Sequence, residues 1–414
     1  MDWKAKQAIY LIIICSIGLS LTFFSFNRIE KGEILAIIIW TIIALPFENK
    51  PIRVNPELHF TLSFAFHLPI LVIHGYWFVI VVAALVSAIT DLYNKKGIVK
   101  LLFNVSQFSI TLYLAGIVFY SLKDSPGIFA LPEDLPAFMG AAVVYIVVNL
   151  CLVSFIVSLS LKKRFLYILK RDLGMLILYY AALAPMSMFT VLLYKEQPLT
   201  MVLIIPLLAI AHASFRDYNS LQIETKQTLE ILADIVDRRD RYTAEHSKRV
   251  AAYACAIANE MDLADVEKDT IASAARVHDL GKIAISDSVL FKKGSLTPAE
   301  MDIMKSHPEV AHDILESMRM YKSGAEIVKA HHERYDGLGY ARGIKGPKIP
   351  LGARILAVAD AFDAMITDRP YRKALTMEEA LQELERNAGS QFDPLVVETF
   401  ISMLRQNNYQ LGVV

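Results

Sequence analysis

The chain has 414 residues, which is enough for two or three domains of ordinary size. Lys and Arg together number 42, as do Asp and Glu, so the balanced charge gives no reason to expect a nucleic-acid polymer as partner. The mean hydropathy of +0.41 and the 55% share of hydrophobic residues exclude an ordinary soluble protein.

The first half of the sequence contains eight apolar segments, most of them close to the roughly 17–25 residues that cross a bilayer. They are centred near Ile12, Ile38, Ala65, Val82, Leu112, Val148, Leu183 and Ile205. The second and third segments are short or polar, and only His74 and Gly75 separate the third from the fourth, which indicates a tight hairpin or a re-entrant pair. The segments predict a polytopic transmembrane helical domain over residues 1–214, with about eight helices.

Lys and Arg residues are distributed unequally between the connections of these segments. One alternate set, which includes Lys162–Arg164, Lys170 and Arg171, holds about three times as many basic residues as the other set. Because basic residues are retained on the cytoplasmic side, this bias predicts eight crossings with both ends of the domain in the cytoplasm.

Four histidines lie in or beside the apolar segments: His59, His67, His74 and His212. Ionisable residues inside a membrane are functional candidates, so a metal, haem or ligand site is one interpretation. A polar bundle interior or a position at the membrane interface is the other interpretation, and it is favoured.

Residues 215–239 are polar, lack Pro and Gly, and repeat apolar residues at helical spacing. They predict a connecting helix that continues from the last apolar segment. Such a helix can transmit a twist or piston movement, for example as a short parallel coiled coil in a homodimer. A plain amphipathic first helix of the next domain explains the same pattern, because the segment is too short for several heptads.

Residues 240–414 show apolar residues with a helical period and no convincing alternating strand. Thr297 and Thr376 each precede an acidic first turn, as N-cap residues do. The pattern predicts a helical bundle, and the fold class of the whole chain is therefore all-α.

Six histidines fall in this second half: His246, His278, His307, His312, His331 and His332. Several sit among small or apolar neighbours, where a buried imidazole needs a partner. Asp279 and Asp360 add carboxylates to the same pattern. Imidazole and carboxylate ligands without thiolate suit two close divalent ions of the iron, manganese, zinc or nickel kind. Such a pair activates hydroxide for attack on a phosphoryl group.

The same reasoning makes Asp279 the best candidate for a bridging ligand, because a carboxylate spans two ions more readily than an imidazole. It also explains the neighbouring His331 and His332. Adjacent residues inside a helix point in different directions, but at a helix end both rings can turn toward one metal cluster.

Five segments carry these residues: RDRYTAEHSKRV at 239–250, HDLGK at 278–282, SHPEVAHDIL at 306–315, HHERYDGLGY at 331–340 and ADAFDAMITDRPYR at 359–372. In this order they resemble the motifs of the HD-GYP subgroup of the HD-domain phosphohydrolases. The resemblance covers about residues 235–405. It implies a bacterial signal-transduction phosphodiesterase that hydrolyses cyclic di-GMP to linear pGpG, with GMP as an alternative end product, under the control of the membrane domain.

The resemblance also implies the roles of individual residues. It places metal ligands on His246, His278, Asp279, His307, His331, His332 and Asp360. It places substrate contacts on Lys282, Gly339, Tyr340, Arg369 and Arg372, with Asp279 and Lys282 as the catalytic residues. His312 lies five residues after His307, off that helical face, and is expected at the surface or as a cap rather than at the metals. Glu333 and Asp336 are expected to orient imidazoles, and Asp363 to do the same or to cap a neighbouring helix.

Two positions depart from the family pattern. Ala341 stands where the signature has proline, which affects the order of the loop and its docking to a partner more than the chemistry. Tyr242 stands where members with three metals have glutamate, so two divalent ions are expected rather than three. Iron or manganese is the expected metal.

The expected partners are cyclic di-GMP, the lipid bilayer, a second copy of the chain and a diguanylate cyclase domain of the GGDEF type. The expected location is the bacterial inner membrane, with several crossings and a cytoplasmic catalytic domain. Two alternatives stay open: a receptor or interaction module that binds a cyclic dinucleotide without hydrolysis, and an HD hydrolase of another nucleotide.

Overall fold

The computed structural model of the chain describes residues 3–54, 59–124, 129–239, 245–292, 294–368 and 373–406. The chain divides into two compact units, Met1–Ile223 and Glu224–Val414. The predicted all-α fold is confirmed, because the only sheet in these ranges pairs two-residue strands, β1 (Ile52–Arg53) and β2 (His59–Phe60), in antiparallel register. The boundary between the units falls inside the predicted connecting segment 215–239.

Eight α-helices begin in the described part of the first unit. They are α1 (Trp3–Phe26), α2 (Ile34–Glu48), α3 (Ser63–His74), α4 (Tyr76–Tyr93), α5 (Ile98–Leu122), α6 (Leu135–Leu161), α7 (Phe165–Glu196) and α8 (Ile204–Arg239). The centre of each predicted apolar segment lies on one of them, in the predicted order. The segment 215–239 lies wholly within α8.

Among the residues that the structure describes, six helical segments are long and apolar enough to cross a membrane by length and composition: α1, α4, α5, α6, α7 and Pro198–Arg239. Helix α3 has 12 residues, which extend about 18 Å and so fall short of the roughly 30 Å hydrocarbon core. Its residues Ser63–Leu71 are buried, and Gly75, with φ of +90°, joins α3 directly to α4. This geometry agrees with a tight hairpin, while eight crossings and their orientation stay predictions.

Two of the four histidines in this unit have side-chain partners. The Nδ1 atom of His67 lies 2.9 Å from the hydroxyl of Tyr145. Trp40 donates from Nε1 to His74 Nε2 over 3.0 Å, and the His74 ring stacks on Phe78 at 4.3 Å between centroids. These contacts favour the polar bundle interior for His67 and His74.

The second unit contains nine α-helices that begin within the described residues. They are α9 (His246–Glu260), α10 (Asp265–Arg276), α11 (Asp287–Leu290), α12 (Pro298–Lys305), α13 (His307–Glu316), α14 (Lys322–Lys329), α15 (Leu351–Ile366), α16 (Met377–Arg386) and α17 (Pro394–Gln406). Thr297 and Thr376 accept hydrogen bonds from the backbone of Glu300 and Glu379, so both predicted N-caps are confirmed.

Helix α15 lies at the centre of this bundle. Its apolar residues Ile355, Leu356, Val358 and Phe362 are buried, and it packs against α9, α10, α14, α16 and α17. A 3-10 helix, Leu280–Ala284, follows α10 and packs against α13. The elements around α15 carry the residues that form the site described next.

Candidate metal centre

The seven predicted metal ligands lie in two groups in which the ligand atoms are within 4.8 Å of one another. One group is His246, His278 and Asp360, and the other is Asp279, His307, His331 and His332. Most of these residues stand at helix ends: His246 and His307 are the first residues of α9 and α13. The bundle therefore brings together side chains that are up to about a hundred residues apart in the sequence.

In the first group, Asp360 on α15 faces two imidazoles. Its Oδ1 atom lies 3.2 Å from His246 Nε2 and 4.0 Å from His278 Nε2. Burial alone would lower the pKa of His246, but hydrogen bonds to Asp360 and Asp363 outweigh it and raise the pKa to about 10. Because the proton on Nε2 faces Asp360, a cation bound by these two residues would replace it.

In the second group, the adjacent histidines follow the end of α14, which ends at Lys329. The rings of His331 and His332 lie 4.0 Å apart and are tilted by 40°. The backbone turns after Ala330, so neither ring is held to the direction that a continuing helix would impose. This turn is what allows both imidazoles to face the same group, as the sequence predicted for a helix end.

Asp279 lies between the two groups. Its Oδ1 atom is 3.3 Å from His307 Nε2, and its Oδ2 atom is 3.5 Å from His278 Nε2 and 2.8 Å from Lys282 Nζ. Burial would raise the pKa of Asp279, but the positive charge of Lys282 outweighs it and holds that pKa well below its usual range. The carboxylate therefore presents one oxygen to each group, which is the arrangement that a bridging ligand needs.

The other ring nitrogens show which atom of each imidazole faces the centre. The Nδ1 atoms of His278, His307 and His331 each lie 2.5–2.9 Å from the backbone carbonyl of the residue three positions earlier. A ring that donates from Nδ1 carries its free electron pair on Nε2, the form that binds metal. The Nε2 atoms of these same three histidines are buried and have no hydrogen-bond partner among the described residues.

A buried nitrogen without a hydrogen-bond partner costs free energy. Imidazole and carboxylate groups, as in these two clusters, are the ligands that divalent transition metals prefer. Burial lowers the pKa of His331 well below its ordinary value, so this ring is neutral and able to act as a ligand. The residues present therefore fit divalent metal ions.

Asp363 orients His246 from the side away from the centre. It accepts from His246 Nδ1 over 2.7 Å and binds both Nε and Nη2 of Arg249, at 2.6 and 2.9 Å. The sequence left open whether Asp363 orients an imidazole or caps a helix, and the structure has the first arrangement. Arg249 was missed, although its position three residues after His246 places it on a neighbouring part of the same helix face.

Tyr340 and Gly339 lie beside His332. The Tyr340 ring is 4.8 Å from the His332 ring at an angle of 31°, and Lys305 Nζ lies 5.6 Å from the centre of the tyrosine ring. A Cβ on Gly339 would come within 2.7 Å of the His332 carbonyl oxygen and closer still to the Arg334 amide, so the loop backbone approaches here as only glycine allows. The peptide bond between Tyr340 and Ala341 is cis.

Three further positions named by the sequence lie outside the described residues: Arg369, Arg372 and Tyr242.

Three other sequence interpretations were wrong in detail. Glu333 accepts from the backbone N–H groups of Arg342 and Gly343, and Asp336 pairs with Arg334, so neither orients an imidazole. His312 is buried rather than at the surface, and its Nε2 lies 3.1 Å from Glu326. It stands outside both ligand groups, as the sequence predicted from its position on α13.

Two family models match the chain. Residues 230–396 match the HD domain, and residues 11–219 match MASE9, a membrane-associated domain that covers just over half of the chain. The first match contains all seven candidate ligands. The second contains α2 to α7 entirely and parts of α1 and α8. The predicted resemblance of the second half to HD phosphohydrolases behind a membrane domain is confirmed.

Curated relatives match slightly less than half of the chain. The chain is 43% identical over 185 residues to the cyclic di-GMP phosphodiesterase response regulator RpfG of Xanthomonas campestris, covering 44% of this chain and 49% of the relative. It is 41% identical over 198 residues to a cyclic di-GMP phosphodiesterase of Thermotoga maritima, covering 47% and 53%. It is 40% identical over 160 residues to 3'3'-cGAMP-specific phosphodiesterase 3 of Vibrio cholerae, covering 39% and 35%.

The chain thus spans about half the length, or less, of the curated relatives it matches.

Proposed function

We propose a function on the premise that this chain belongs to the MASE9 family of membrane proteins and carries an HD domain. It is a membrane-anchored, metal-dependent phosphodiesterase that hydrolyses cyclic di-GMP to linear pGpG, with GMP as an alternative end product. The names of its relatives supply the class of substrate, a cyclic dinucleotide.

One observation carries the proposal: three buried Nε2 atoms without partners converge with Asp279 and Asp360 on one place in the bundle. Hydrogen bonds from Nδ1 fix these rings with Nε2 inward. Such preorganised imidazoles serve metal binding and have no other evident use in a helical core.

The ligands divide between two ions in this proposal. The donor set of imidazole and carboxylate without thiolate suits iron, manganese, zinc or nickel, and the resemblance to the HD-GYP subgroup favours iron or manganese among them. His246, His278 and Asp360 would hold one ion, and His307, His331 and His332 the other, with Asp279 shared. When bound, the pair of ions supplies a hydroxide nucleophile and neutralises charge on the phosphoryl group.

The protein's own residues then position the substrate. Lys282 lies beside Asp279, so its ammonium group can attract a phosphate oxygen that approaches the centre. Tyr340 packs on His332 and offers its ring edge and hydroxyl to a ligand next to the second ion. Arg369 and Arg372 supply further guanidinium groups for phosphate or guanine in this proposal.

The proposal extends to the setting of the enzyme. The excess of basic residues on alternate connections supports an inner-membrane protein of a bacterium, with the catalytic unit in the cytoplasm. The polypeptide passes between the units within α8, which makes this helix the covalent route for control by the membrane domain. A homodimer and docking of a GGDEF cyclase domain belong to the same proposal.

A second substrate has a specific observation in its favour. Three of the relatives are named 3'3'-cGAMP-specific phosphodiesterases, at 30–40% identity. The same metal centre can hydrolyse either cyclic dinucleotide, because both offer the same phosphodiester bond. The difference lies in the contacts to the bases.

Turnover by the full chain in detergent tests both candidates. Metal-free protein is loaded with Fe²⁺ under anaerobic conditions or with Mn²⁺, and the products from cyclic di-GMP and 3'3'-cGAMP are identified by mass spectrometry. We expect pGpG from cyclic di-GMP. Faster hydrolysis of 3'3'-cGAMP would favour the second substrate. Tight binding of cyclic di-GMP without a product, with either metal, would instead identify a receptor and overturn the proposed activity.

A further inference from the structure

The N-terminus of α9 is held by a carboxylate from a different helix. Glu245, which precedes α9, has a side chain that accepts no capping hydrogen bond from the backbone of the first turn. Instead, Asp237 near the end of α8 accepts a hydrogen bond from the backbone N–H of Ser247 over 3.0 Å. Ser247 is the second residue of α9, and its N–H is one that an N-cap side chain ordinarily satisfies. Asp237 therefore takes the place of an N-cap residue.

This hydrogen bond is shielded from water. Asp237 is 4% exposed and Ser247 is fully buried. Removal of the carboxylate would leave a buried N–H group without an acceptor, and would also remove a negative charge from the positive end of the helix dipole. The contact is therefore a fixed part of the way α9 begins.

The ligand His246 depends on this start. It lies between Ser247 and Glu245, and Glu245 adopts φ of +82°, a left-handed conformation that is uncommon for any residue except glycine. Asp363 fixes the rotation of the His246 ring through Nδ1. It does not fix the backbone position from which the ring projects. Asp237 does so, because it binds the next backbone amide along the chain.

Two neighbours of Asp237 on α8 contact other parts of the site. Asp234 accepts from the guanidinium group of Arg276 over 3.1 Å, two residues before His278. Arg239 donates to the carbonyl oxygen of Ile285 over 3.1 Å, just after the 3-10 helix that carries Lys282. The last six residues of α8 thus touch the segments on which three site residues stand.

We propose that Asp237 is a positioning residue for the metal centre, which caps α9 from α8 and thereby places His246 in the His246–His278–Asp360 group. The proposal rests on the proposed function only in taking these three residues as metal ligands. The end of α8 then helps to set the geometry of the His246–His278–Asp360 site and does not affect the geometry of the other ion site.

Titration with Mn²⁺ tests this assignment without any substrate. The full chain is purified in detergent, stripped of metal and titrated with Mn²⁺, with free Mn²⁺ measured by electron paramagnetic resonance. We expect the wild-type chain to bind two ions. Asp237→Ala should raise the Kd of one ion about 3- to 30-fold and leave the Kd of the other ion within about twofold. This range corresponds to the free energy that a helix loses with its N-cap. Where both wild-type ions bind with one Kd, the variant should split the titration into two steps.

Three variants make the readout specific. The step weakened by Asp237→Ala should be the step that His246→Ala abolishes. Asp237→Asn keeps an oxygen acceptor without the charge, so its Kd should lie between those of the wild type and Asp237→Ala. Glu230→Gln alters a carboxylate on the same helix that pairs with Lys226 over 3.9 Å, and it should leave both steps unchanged.

The possible outcomes separate the two proposals. Equal weakening of both ions would indicate a general loosening of the unit and overturn the positioning role, as would an unchanged titration. A wild-type chain that binds no Mn²⁺ would overturn the metal centre and this proposal together. A chain that shows the expected Mn²⁺ shift but hydrolyses no cyclic dinucleotide would sustain the role of Asp237 and refute the proposed function.

Discussion

Histidines that are wholly or partly buried occur in both units, and they differ in what their nitrogens contact. In the first unit, His67 is bonded to the Tyr145 hydroxyl and His74 to the Trp40 indole. In the second unit, Nδ1 is occupied by a backbone carbonyl in three histidines, while Nε2 is buried without a partner. Burial of an imidazole therefore does not identify a site. A site is indicated by an imidazole that one hydrogen bond holds in place and whose second nitrogen has no hydrogen-bond partner.

One residue of the first unit limits this rule. His212 also has a buried Nδ1 without a partner, but it belongs to no group of metal-ligating side chains among the residues that the structure describes. The second unit combines the unpaired nitrogens with carboxylates within 4.8 Å. The units therefore differ in whether unpaired ring nitrogens and carboxylates converge on one place. Each prediction below tests whether this convergence, or only the pairing of a side chain, decides the effect of a substitution.

The largest difference in metal binding is expected between two variants, each of which has one histidine substituted in a different unit. His278→Ala removes a ligand of the centre. Loss of an outer hydrogen-bonding partner typically costs about 10- to 100-fold in metal affinity, so loss of the ligand itself should exceed about 100-fold and abolish turnover. His67→Phe should leave Mn²⁺ affinity within about twofold. Metal analysis of the purified variants measures both.

A second control comes from the same unit. His312→Gln alters a buried histidine that is paired with Glu326 and lies outside both ligand groups. It should retain two ions. A loss of metal in His312→Gln as large as that in His278→Ala would contradict the assignment of ligands, because it would show that any buried histidine of the unit is needed for binding.

Metal removal should destabilise the second unit selectively. Without a cation the three Nε2 atoms stay unsatisfied, whereas an ion at 100 times its Kd adds about 2.7 kcal/mol to the free energy of unfolding. Hydrogen exchange followed by mass spectrometry should show faster exchange in peptides of α13 and α14 after chelation. The tryptophans Trp3, Trp40 and Trp77 all lie in the first unit. Their fluorescence transition should not move, and a shift there would contradict selectivity.

Much of this could be predicted from the sequence, because it depends on local patterns. Helical periodicity and apolar runs follow from residues close in the chain, as do the caps at Thr297 and Thr376. The candidate ligands could also be predicted, because they lie within recognisable sequence motifs. Asp237 could not be found in this way, since it lies outside the motif segments and acts on a backbone amide of another helix. Arg249 lies inside the segment 239–250, but its role depends on Asp363 of another helix, a contact that the segment alone does not reveal. The role of Glu333 was misjudged because its Oε1 atom accepts from the backbone of its own loop, a contact that depends on the loop conformation.

The next largest effect concerns a glycine in each unit. A Cβ on Gly281 would lie 1.9 Å from the carbonyl oxygen of His307, so the first turn of α13 must shift to admit it. Gly281→Ala should cost about 1–3 kcal/mol and weaken metal binding through His307. Gly174, within α7, has no neighbouring atom within 4 Å of the same position. Gly174→Ala should therefore be neutral or slightly stabilising. Thermal unfolding and Mn²⁺ titration of both variants check this contrast, which fails if the two substitutions behave alike.

The smallest effect is expected at a carboxylate that is paired and serves no site. Hydrogen bonds from Lys292 and from the backbone and hydroxyl of Thr297 lower the pKa of Glu300 to about 2. Since the folded-state pKa is below the ordinary value of 4.5, this group stabilises the fold above that pH. The contribution is lost as the pH falls from 4.5 toward 2. Glu300→Gln should flatten this part of the stability profile, measured by urea unfolding between pH 2.5 and 6, while Mn²⁺ affinity at pH 7 stays the same. If the substitution changed metal affinity as well, then a paired group outside the convergent cluster would matter to the centre, and the distinction between pairing and convergence would fail within the second unit itself.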